Sequence, residues 1–127
     1  GPTTMNFGSG ILRGRRILVV EDEAMVSMMI VDLLTESGAM VIGPAGTTRE
    51  ALAFLGEEEL HCAILDVKLA DGMSVPVAEA LAALGVPFVV ATGYSGEVPH
   101  EYNGAPVLRK VFTNEQLIEA IAHILRP

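Results

Sequence analysis

The sequence predicts an α/β fold in which five parallel strands form one doubly wound sheet with helices on both faces. Three observations support this prediction. Short apolar runs such as residues 17–20 show no polar alternation, which is typical of strands covered on both faces. Segments with apolar residues at helical spacing follow the strand-like runs. Glycine or proline separates most of the helical segments from the next strand, as expected for repeated strand-helix units.

The predicted elements alternate along the chain. The first half contains, in order, a strand at 17–20, a helix at 24–37, a strand at 41–42 and a helix from Thr47 or Thr48 to near Gly56. The second half contains a strand at Cys62–Leu65, a helix at 74–84, strands at 87–91 and Val107–Arg109, and a helix at about 113–125. Gly38 suits the end of the first helix, Gly43 and Pro44 are expected to close the second strand, and Thr113 with Gln116 suits a capping box.

Such an alternation favours a flavodoxin-like sheet with strand order 2-1-3-4-5, in which ligands bind outside the carboxyl ends of the strands. Residues 93–104 depart from the alternation because they contain three glycines and Pro99 without an apolar stripe. An interior glycine costs a helix about 1 kcal/mol and a proline about 3 kcal/mol. We therefore expect the fourth helix to be weak, disordered or absent.

Composition limits the classes of function. The chain has 127 residues and a formal net charge of −8, so it suits one acidic domain, which we assign to residues 15–127. Residues 1–14 are interpreted as a tag remnant and a flexible tail. Nucleic acid and anionic membrane surfaces are not expected partners, because both attract basic proteins. Cys62 predicts a buried, reduced thiol, and with no signal peptide or membrane span visible we expect a cytoplasmic protein.

Residues able to support phosphoryl chemistry follow four of the predicted strands. These are Glu21 with Asp22, then Asp66, Thr92 and Lys110. The carboxyl ends of parallel strands meet at one edge, so these side chains should converge. Two carboxylates about 4 Å apart repel by about 4 kcal/mol at an effective dielectric constant of about 20. A divalent cation relieves that repulsion, and hard oxygen ligands favour Mg²⁺.

The motifs VVEDE, AILDVKL, VVATGY and VLRK together resemble those of response-regulator receiver domains of two-component signalling, from about Arg15 to Leu125. The resemblance implies that Asp66 accepts a phosphoryl group from the phosphohistidine of a sensor histidine kinase or a histidine phosphotransfer protein. It also implies that the chain catalyses its own phosphotransfer and dephosphorylation at Asp66, without being a conventional enzyme.

The same resemblance implies roles for the neighbouring residues. Glu21, Asp22, Asp66 and the backbone carbonyl of Lys68 would bind Mg²⁺ or Mn²⁺. Thr92 and Lys110 would sense the phosphoryl group. PFVVATGY is also similar to the Phe-Ala-Thr-Gly and tyrosine signature of an alphaproteobacterial single-domain subgroup associated with HWE-type kinases, although Val90 replaces the phenylalanine.

The chain departs from the receiver pattern at three positions. Val111 follows Lys110 where receivers carry proline, and because a non-proline cis bond costs about 2.5–4 kcal/mol, we predict a trans bond and a rebuilt loop. Val107 occupies the position of the usual switch aromatic, so Tyr94 is the substitute candidate for reporting phosphorylation. Lys68 places a cation beside Asp66, where it would pair with the acidic pocket or with the phosphoryl group and modulate dephosphorylation.

Several alternatives remain open from the sequence. A flavodoxin has the same architecture, but the three acids after the first strand would repel the FMN phosphate. A haloacid-dehalogenase-type phosphatase expects a second aspartate where Lys68 stands. A pseudo-receiver would bind proteins without phosphorylation. The chain is expected to signal through protein contacts, as a shuttle, a sink or an allosteric partner, as a monomer or a weak phosphorylation-dependent dimer, or to be a receiver excised from a larger hybrid protein.

Overall fold

The computed structural model describes residues 10–127, which form an α/β fold around a five-stranded sheet in the order β2-β1-β3-β6-β7. The strands of this sheet are β1 (Arg16–Val20), β2 (Met40–Ala45), β3 (Cys62–Leu65), β6 (Phe88–Thr92) and β7 (Val107–Arg109). All four neighbouring pairs are parallel. When only these five strands are numbered along the chain, β6 and β7 become the fourth and fifth strands. The order is then 2-1-3-4-5, so the predicted fold class is confirmed.

The central strands are buried on both faces, as their continuous apolar runs predict. Alternate residues of β1 and β3 enter two separate cores, because side chains of a strand point to opposite faces. Ile17 and Ile64 lie in one core with residues of the first and last helices. Leu18 and Leu65 lie in the other with residues of the two middle helices. The sheet is therefore covered by helices on both sides.

Four α-helices surround the sheet in the part of the chain that the structure describes. They are α1 (Ala24–Glu36), α2 (Thr48–Glu57), α3 (Val75–Ala83) and α4 (Asn114–Leu125). Thr47 caps α2 by accepting a hydrogen bond from the backbone N–H of Glu50. Thr113 and Gln116 form a complete capping box at α4. Each predicted helix thus begins and ends within a few residues of its expected bounds. Across residues 10–127, no helix combines the length and apolar character needed to span a membrane.

Two local features differ from the sequence prediction. The second strand does not end before Gly43 and Pro44 but continues through them to Ala45, with a cis bond between the glycine and the proline. The loop after β3 contains a short antiparallel hairpin formed by β4 (Lys68–Leu69) and β5 (Gly72–Met73). The extension of β2 depends on pairing with β1, which local composition does not reveal.

The segment between β6 and β7 contains a single short helical turn. It is a 3₁₀ turn at His100–Tyr102, followed by Asn103 in the left-handed region with φ 61°. No α-helix forms in residues 93–106 of the described chain. The prediction of a weak or absent fourth helix is confirmed, because the glycines and the proline are not offset by an apolar helical face.

The peptide bond between Lys110 and Val111 is cis, so the prediction of a trans bond is wrong. That prediction considered only the intrinsic preference of an isolated peptide and left out the contacts on either side. The backbone N–H of Lys110 donates to the Thr92 carbonyl at 2.9 Å, and Phe112 is buried in the core beside α4. The residues around this bond are thus positioned by tertiary contacts.

Residues before Arg15 also contact the core. Leu12 is fully buried in the core that contains Ile17, and the backbone N–H of Gly14 donates to the Gly38 carbonyl at 2.8 Å. The predicted division into a tail at 1–14 and a domain at 15–127 stays a prediction. The rest of the predicted tail, residues 1–9, lies outside the described residues.

Candidate functional site

The acidic residues that directly follow two neighbouring buried strands lie side by side. Val20 of β1 and Leu65 of β3 are register partners, so Glu21 and Asp66 emerge next to each other. The backbone N–H of Asp66 donates to the Val20 carbonyl at 3.0 Å, which continues the ladder one residue beyond the strands. Glu21 and Asp66 are both only 4% exposed. The register of the sheet therefore positions two buried carboxylates together.

Asp22 completes an acidic cluster with these two residues. One carboxylate oxygen from each of Glu21, Asp22 and Asp66 lies within 4.8 Å of the others. Oε1 of Glu21 is buried and makes no hydrogen bond of good geometry, although Lys110 Nζ lies 3.0 Å from it. We treat this contact as an ion pair, because charge attraction depends less on angle than hydrogen bonding does. A cluster of hard oxygens with one unsatisfied buried atom fits a small divalent cation.

Burial dominates the titration of Glu21. Its removal from water raises the pKa of the carboxyl to about 7, since burial disfavours the charged form. Asp66 raises the pKa further, while the Glu23 backbone N–H and the Lys110 ammonium lower it. The Glu23 N–H donates to Glu21 Oε2 at 2.9 Å. Without a metal ion, Glu21 is therefore partly protonated near neutral pH.

Lys110 places its ammonium among three carboxylates. Its Nζ lies 3.0 Å from both Asp66 Oδ2 and Glu21 Oε1, and it also donates to Glu23 Oε1. Burial by itself lowers the pKa of this lysine, but the contacts with the carboxylates of Glu23, Glu21 and Asp66 outweigh it and raise the pKa. The sequence shows Glu23 as a third acid directly after β1, but the predicted site residues do not include it.

Thr92 is brought to the site at the end of β6, next to β3 in the sheet. The residue is fully buried, and its Oγ1 accepts a hydrogen bond from the Tyr94 N–H at 3.0 Å. The Tyr94 ring lies against Gly96, where an added Cβ would come within 2.5 Å of the ring. Arg109 donates to the Tyr94 carbonyl and, at 3.3 Å, to the Gly96 carbonyl. Arg109 was not predicted from the sequence.

A cavity of about 390 Å³ opens beside Asp66. Among the predicted site residues, those that line it are Asp22, Asp66, Lys68, Tyr94 and Lys110. Glu21 and Thr92 do not line it and are buried beside it. The structure thus brings seven of the eight predicted site residues to one place.

Val107 is the exception among the switch candidates. It pairs with Val90 at the beginning of β7, and its exposed fraction is 38%. Its aliphatic side chain offers no hydrogen-bonding group. Position 107 therefore contributes no polar contact to the site.

Lys68 contributes differently from the sequence expectation. Its backbone N–H donates to Asp66 Oδ1 at 3.4 Å, and its exposed side chain forms no ion pair with another residue of the described chain. The expected pairing of Lys68 with the acids does not occur, because Lys110 already occupies that position. The Lys68 carbonyl as a metal ligand stays a prediction.

Several known proteins are similar to this chain in sequence or in structure. No family model matches the chain. The transcriptional regulatory protein PdtaR of Mycobacterium tuberculosis (strain ATCC 25618 / H37Rv) is 31% identical over 126 residues, covering 95% of this chain and 60% of PdtaR. The chain therefore spans about 60% of the length of this curated relative.

Solved structures resemble nearly the whole fold. SdrG from Sphingomonas melonis Fr1 is 41% identical with a TM-score of 0.79, covering 89% of this chain and 98% of SdrG. The BeF3-activated conformation of SdrG from Pseudomonas melonis Fr1 is 42% identical with a TM-score of 0.73, covering 87% and 96%. The response regulator REC domain of PhyR from Erythrobacter litoralis is 26% identical with a TM-score of 0.77, covering 89% and 91%.

Proposed function

Since this chain belongs to the response-regulator receiver family, we propose that Asp66 accepts a phosphoryl group from a phosphohistidine and that the chain signals through protein contacts. The observation that carries the proposal is the cluster of Glu21, Asp22 and Asp66 carboxylates, with Lys110 Nζ 3.0 Å from Asp66 Oδ2, beside an open cavity. A receiver that only binds proteins has no need for this buried arrangement of charge, which is costly to maintain.

The proposed phosphotransfer to Asp66 is an in-line displacement at phosphorus. A carboxylate oxygen of Asp66 attacks phosphorus while the bond from phosphorus to the donor imidazole nitrogen breaks and its electron pair returns to the imidazole. An acyl phosphate forms on Asp66. Attack of water on the same phosphorus releases inorganic phosphate and regenerates the carboxylate. The chain supplies both the nucleophile and the charge environment of this reaction.

The acidic cluster would hold Mg²⁺ or Mn²⁺ through the carboxylates of Glu21, Asp22 and Asp66 and the carbonyl of Lys68. When bound, the ion offsets negative charge on the phosphoryl oxygens. The residues suit such an ion because all the donors are oxygens, and because Glu21 Oε1 is buried without a good hydrogen bond.

Lys110 and Thr92 would respond to the phosphoryl group. Lys110 is already within hydrogen-bonding distance of Asp66, so its ammonium can donate to a phosphoryl oxygen after a small movement. The Thr92 hydroxyl currently accepts the Tyr94 N–H. If rotation about χ1 carried Oγ1 toward a phosphoryl oxygen, the bond from the Tyr94 N–H would lengthen and the Tyr94 backbone would have to readjust. Tyr94 is therefore the proposed reporter of phosphorylation, and Lys68 the proposed modulator of dephosphorylation.

The proposed phosphodonor is a sensor histidine kinase, of the HWE type in the case of the alphaproteobacterial subgroup, or a histidine phosphotransfer protein, in the cytoplasm. The solved BeF3-activated conformation of SdrG supports phosphorylation of Asp66 rather than any particular donor, because beryllofluoride resembles a phosphoryl group and SdrG is 42% identical to this chain. A phosphorylation-independent pseudo-receiver is the alternative function.

The proposal is tested by incubating the chain with acetyl phosphate and Mg²⁺ and measuring its intact mass. We expect one phosphoryl group on the wild-type chain and on Asp32→Ala, whose aspartate is exposed on α1, but none on Asp66→Ala. Asp66→Asn, a closer match in shape, should also remain unmodified while folded, as judged by circular dichroism. Equal incorporation in the Asp66 variants, or none in the folded wild-type chain with saturating Mg²⁺, would favour the pseudo-receiver.

A further inference from the structure

One residue anchors the segment between β6 and β7 in the core. Within residues 93–106, only Tyr102 is buried, and it is 1% exposed. Its ring packs edge-to-face against Phe88, with ring centroids 6.4 Å apart and an interplanar angle of 74°. The rest of the segment has no regular structure apart from the 3₁₀ turn that ends at Tyr102. Tyr94, Val98 and Ala105 also pack against this core but stay partly exposed, so Tyr102 is the most deeply buried contact of the segment.

The hydroxyl of Tyr102 belongs to a chain of hydrogen bonds that ends at Asp66. Tyr102 Oη lies 2.8 Å from Ser74 Oγ, and Ser74 Oγ donates to the backbone carbonyl of Asp66 at 2.5 Å. A serine hydroxyl has a single proton and a carbonyl can only accept, so Tyr102 is the donor to Ser74. Tyr102 Oη also lies 3.4 Å from the Val67 carbonyl.

Ser74 makes this bond in place of its usual role. It is the N-cap residue of α3, where a serine side chain normally accepts a backbone N–H of the first turn. The Ser74 side chain makes no such bond, and the residue is 0% exposed. Its backbone N–H instead donates to the Val67 carbonyl at 2.8 Å. The side chain of Ser74 thus bonds the Asp66 carbonyl, and its backbone bonds the carbonyl of the next residue, Val67.

Both hydroxyls are buried, and a buried hydroxyl is costly unless it has a partner. The pair is satisfied only while the Asp66 carbonyl, Ser74 and Tyr102 keep their present distances. A displacement of the Asp66 backbone would therefore break or lengthen a bond inside the core. Relief of that cost requires movement of Tyr102, and with it the 3₁₀ turn.

We propose that Ser74 and Tyr102 are positioning residues that couple the Asp66 backbone to the segment 93–106, so that phosphorylation of Asp66 is transmitted to this surface through two buried hydroxyls. The proposal rests on the proposed function of Asp66. Neither Val107 nor Tyr94 could form this buried hydrogen-bonded link. Val107 has no polar group in its side chain, and Tyr94 is only partly buried. If phosphorylation changes the affinity of a protein for this segment, then by linkage the binding of that protein changes the free energy of the phosphorylated state by the same amount.

The test uses the whole ¹⁵N-labelled chain with Mg²⁺ and beryllofluoride as the phosphoryl stand-in. The variants are Tyr102→Phe, Ser74→Ala and the double variant. Ser37→Ala is the matched control, since the Ser37 hydroxyl donates to the Leu33 carbonyl at 2.8 Å, at the C-terminal end of α1. In the wild-type chain we expect beryllofluoride to shift the amide resonances of Val67 and of residues 100–104.

In Tyr102→Phe, which keeps the buried ring, we expect the Val67 shift to persist and the shifts at 100–104 to fall about threefold or more. The dissociation constant for beryllofluoride should change about threefold to tenfold, the effect of one neutral hydrogen bond. The double variant should show no more than the larger single effect, because the two hydroxyls act as one chain. Ser37→Ala should match the wild type.

Unchanged shifts at 100–104 in Tyr102→Phe, or additive effects of the two single variants, would overturn the coupling. In that case a persistent Val67 response that is absent from Asp66→Ala would leave the proposed function standing. If the wild-type chain and Asp66→Ala respond alike, the proposed function has failed and the coupling with it. If the double variant does not fold, the comparison of Tyr102→Phe with Ser37→Ala still tests the coupling through Tyr102.

Discussion

The two sides of the site are built in different ways. On the side of β1 and β3, Glu21, Asp22 and Asp66 directly follow two adjacent buried strands. On the side of β6 and β7, residues 93–106 have little regular structure and depend on individual hydrogen bonds from Arg109 and Tyr102. The acids thus share the rigidity of the sheet. The opposite segment can be repositioned by losing a few bonds, which suits a region that transmits a signal.

Lys110 connects the two sides, and removing it should have the largest effect on stability. Its backbone N–H donates to the Thr92 carbonyl, while its ammonium contacts Glu21, Glu23 and Asp66. Lys110→Ala leaves buried carboxylates without their cation, which costs about 3–5 kcal/mol in comparable buried pairs. Urea unfolding in metal-free buffer measures the loss.

The matched control is Lys68→Ala, the only other lysine of the chain, which forms no ion pair within the described residues. An exposed substitution of this kind changes the unfolding free energy by about 0.5 kcal/mol or less. Similar losses for both lysines would contradict the view that Lys110 joins the two sides.

The second prediction concerns the pH dependence of the acidic side. Because the pKa of Glu21 rises from 4.5 to about 7 on folding, the native state binds this proton more tightly than the unfolded state. The resulting stabilisation is fully present below pH 4.5 and is lost as the pH rises through about 7. The shift corresponds to about 3 kcal/mol at most.

In metal-free buffer, Glu21→Gln should therefore lose less stability between these two pH values than the wild-type chain. Urea unfolding at several pH values measures the difference, with Glu119→Gln on the surface of α4 as the control. If the unfolding free energies of the wild type and of Glu21→Gln changed with pH in parallel, the pKa of Glu21 would not be raised in the native state.

The smallest predicted effect concerns the opposite segment. Arg109 donates to the carbonyls of Tyr94 and Gly96, so Arg109→Ala should release them and cost about 1 kcal/mol of local stability. Hydrogen exchange of the Tyr94 amide should become about fivefold faster, while amides of β1 and β3 keep their rates. Arg126→Ala, which removes a surface contact to Glu119 at 4.0 Å, should change neither. Faster exchange in the central strands would mean that the two sides are not independent.

The sequence predicts the acidic side well because its determinants are local. A continuous apolar run identifies a buried strand, and the residue after the run must emerge at the sheet edge. Glu21, Asp66, Thr92 and Lys110 could all be assigned in this way. The absence of a helix in 93–106 is equally local, since it follows from glycine and proline content.

The contacts of the opposite side join residues far apart in the chain. Ser74 and Tyr102 are separated by 28 residues, and neither is among the site residues predicted from the sequence. The cis bond at Lys110 has no local signal either, since no proline follows this lysine.

The sequence by itself determined the fold class, the strand order and the identity of the clustered acids, because strand burial and residue type are properties of short segments. Only the tertiary structure decided that Lys110 rather than Lys68 neutralises the acids, and that Tyr102 is tied to the Asp66 backbone through Ser74. Those choices depend on which side chains meet across the folded core. Hydrogen bonds and ion pairs need partners within a few ångströms, and distance along the chain does not report distance in space.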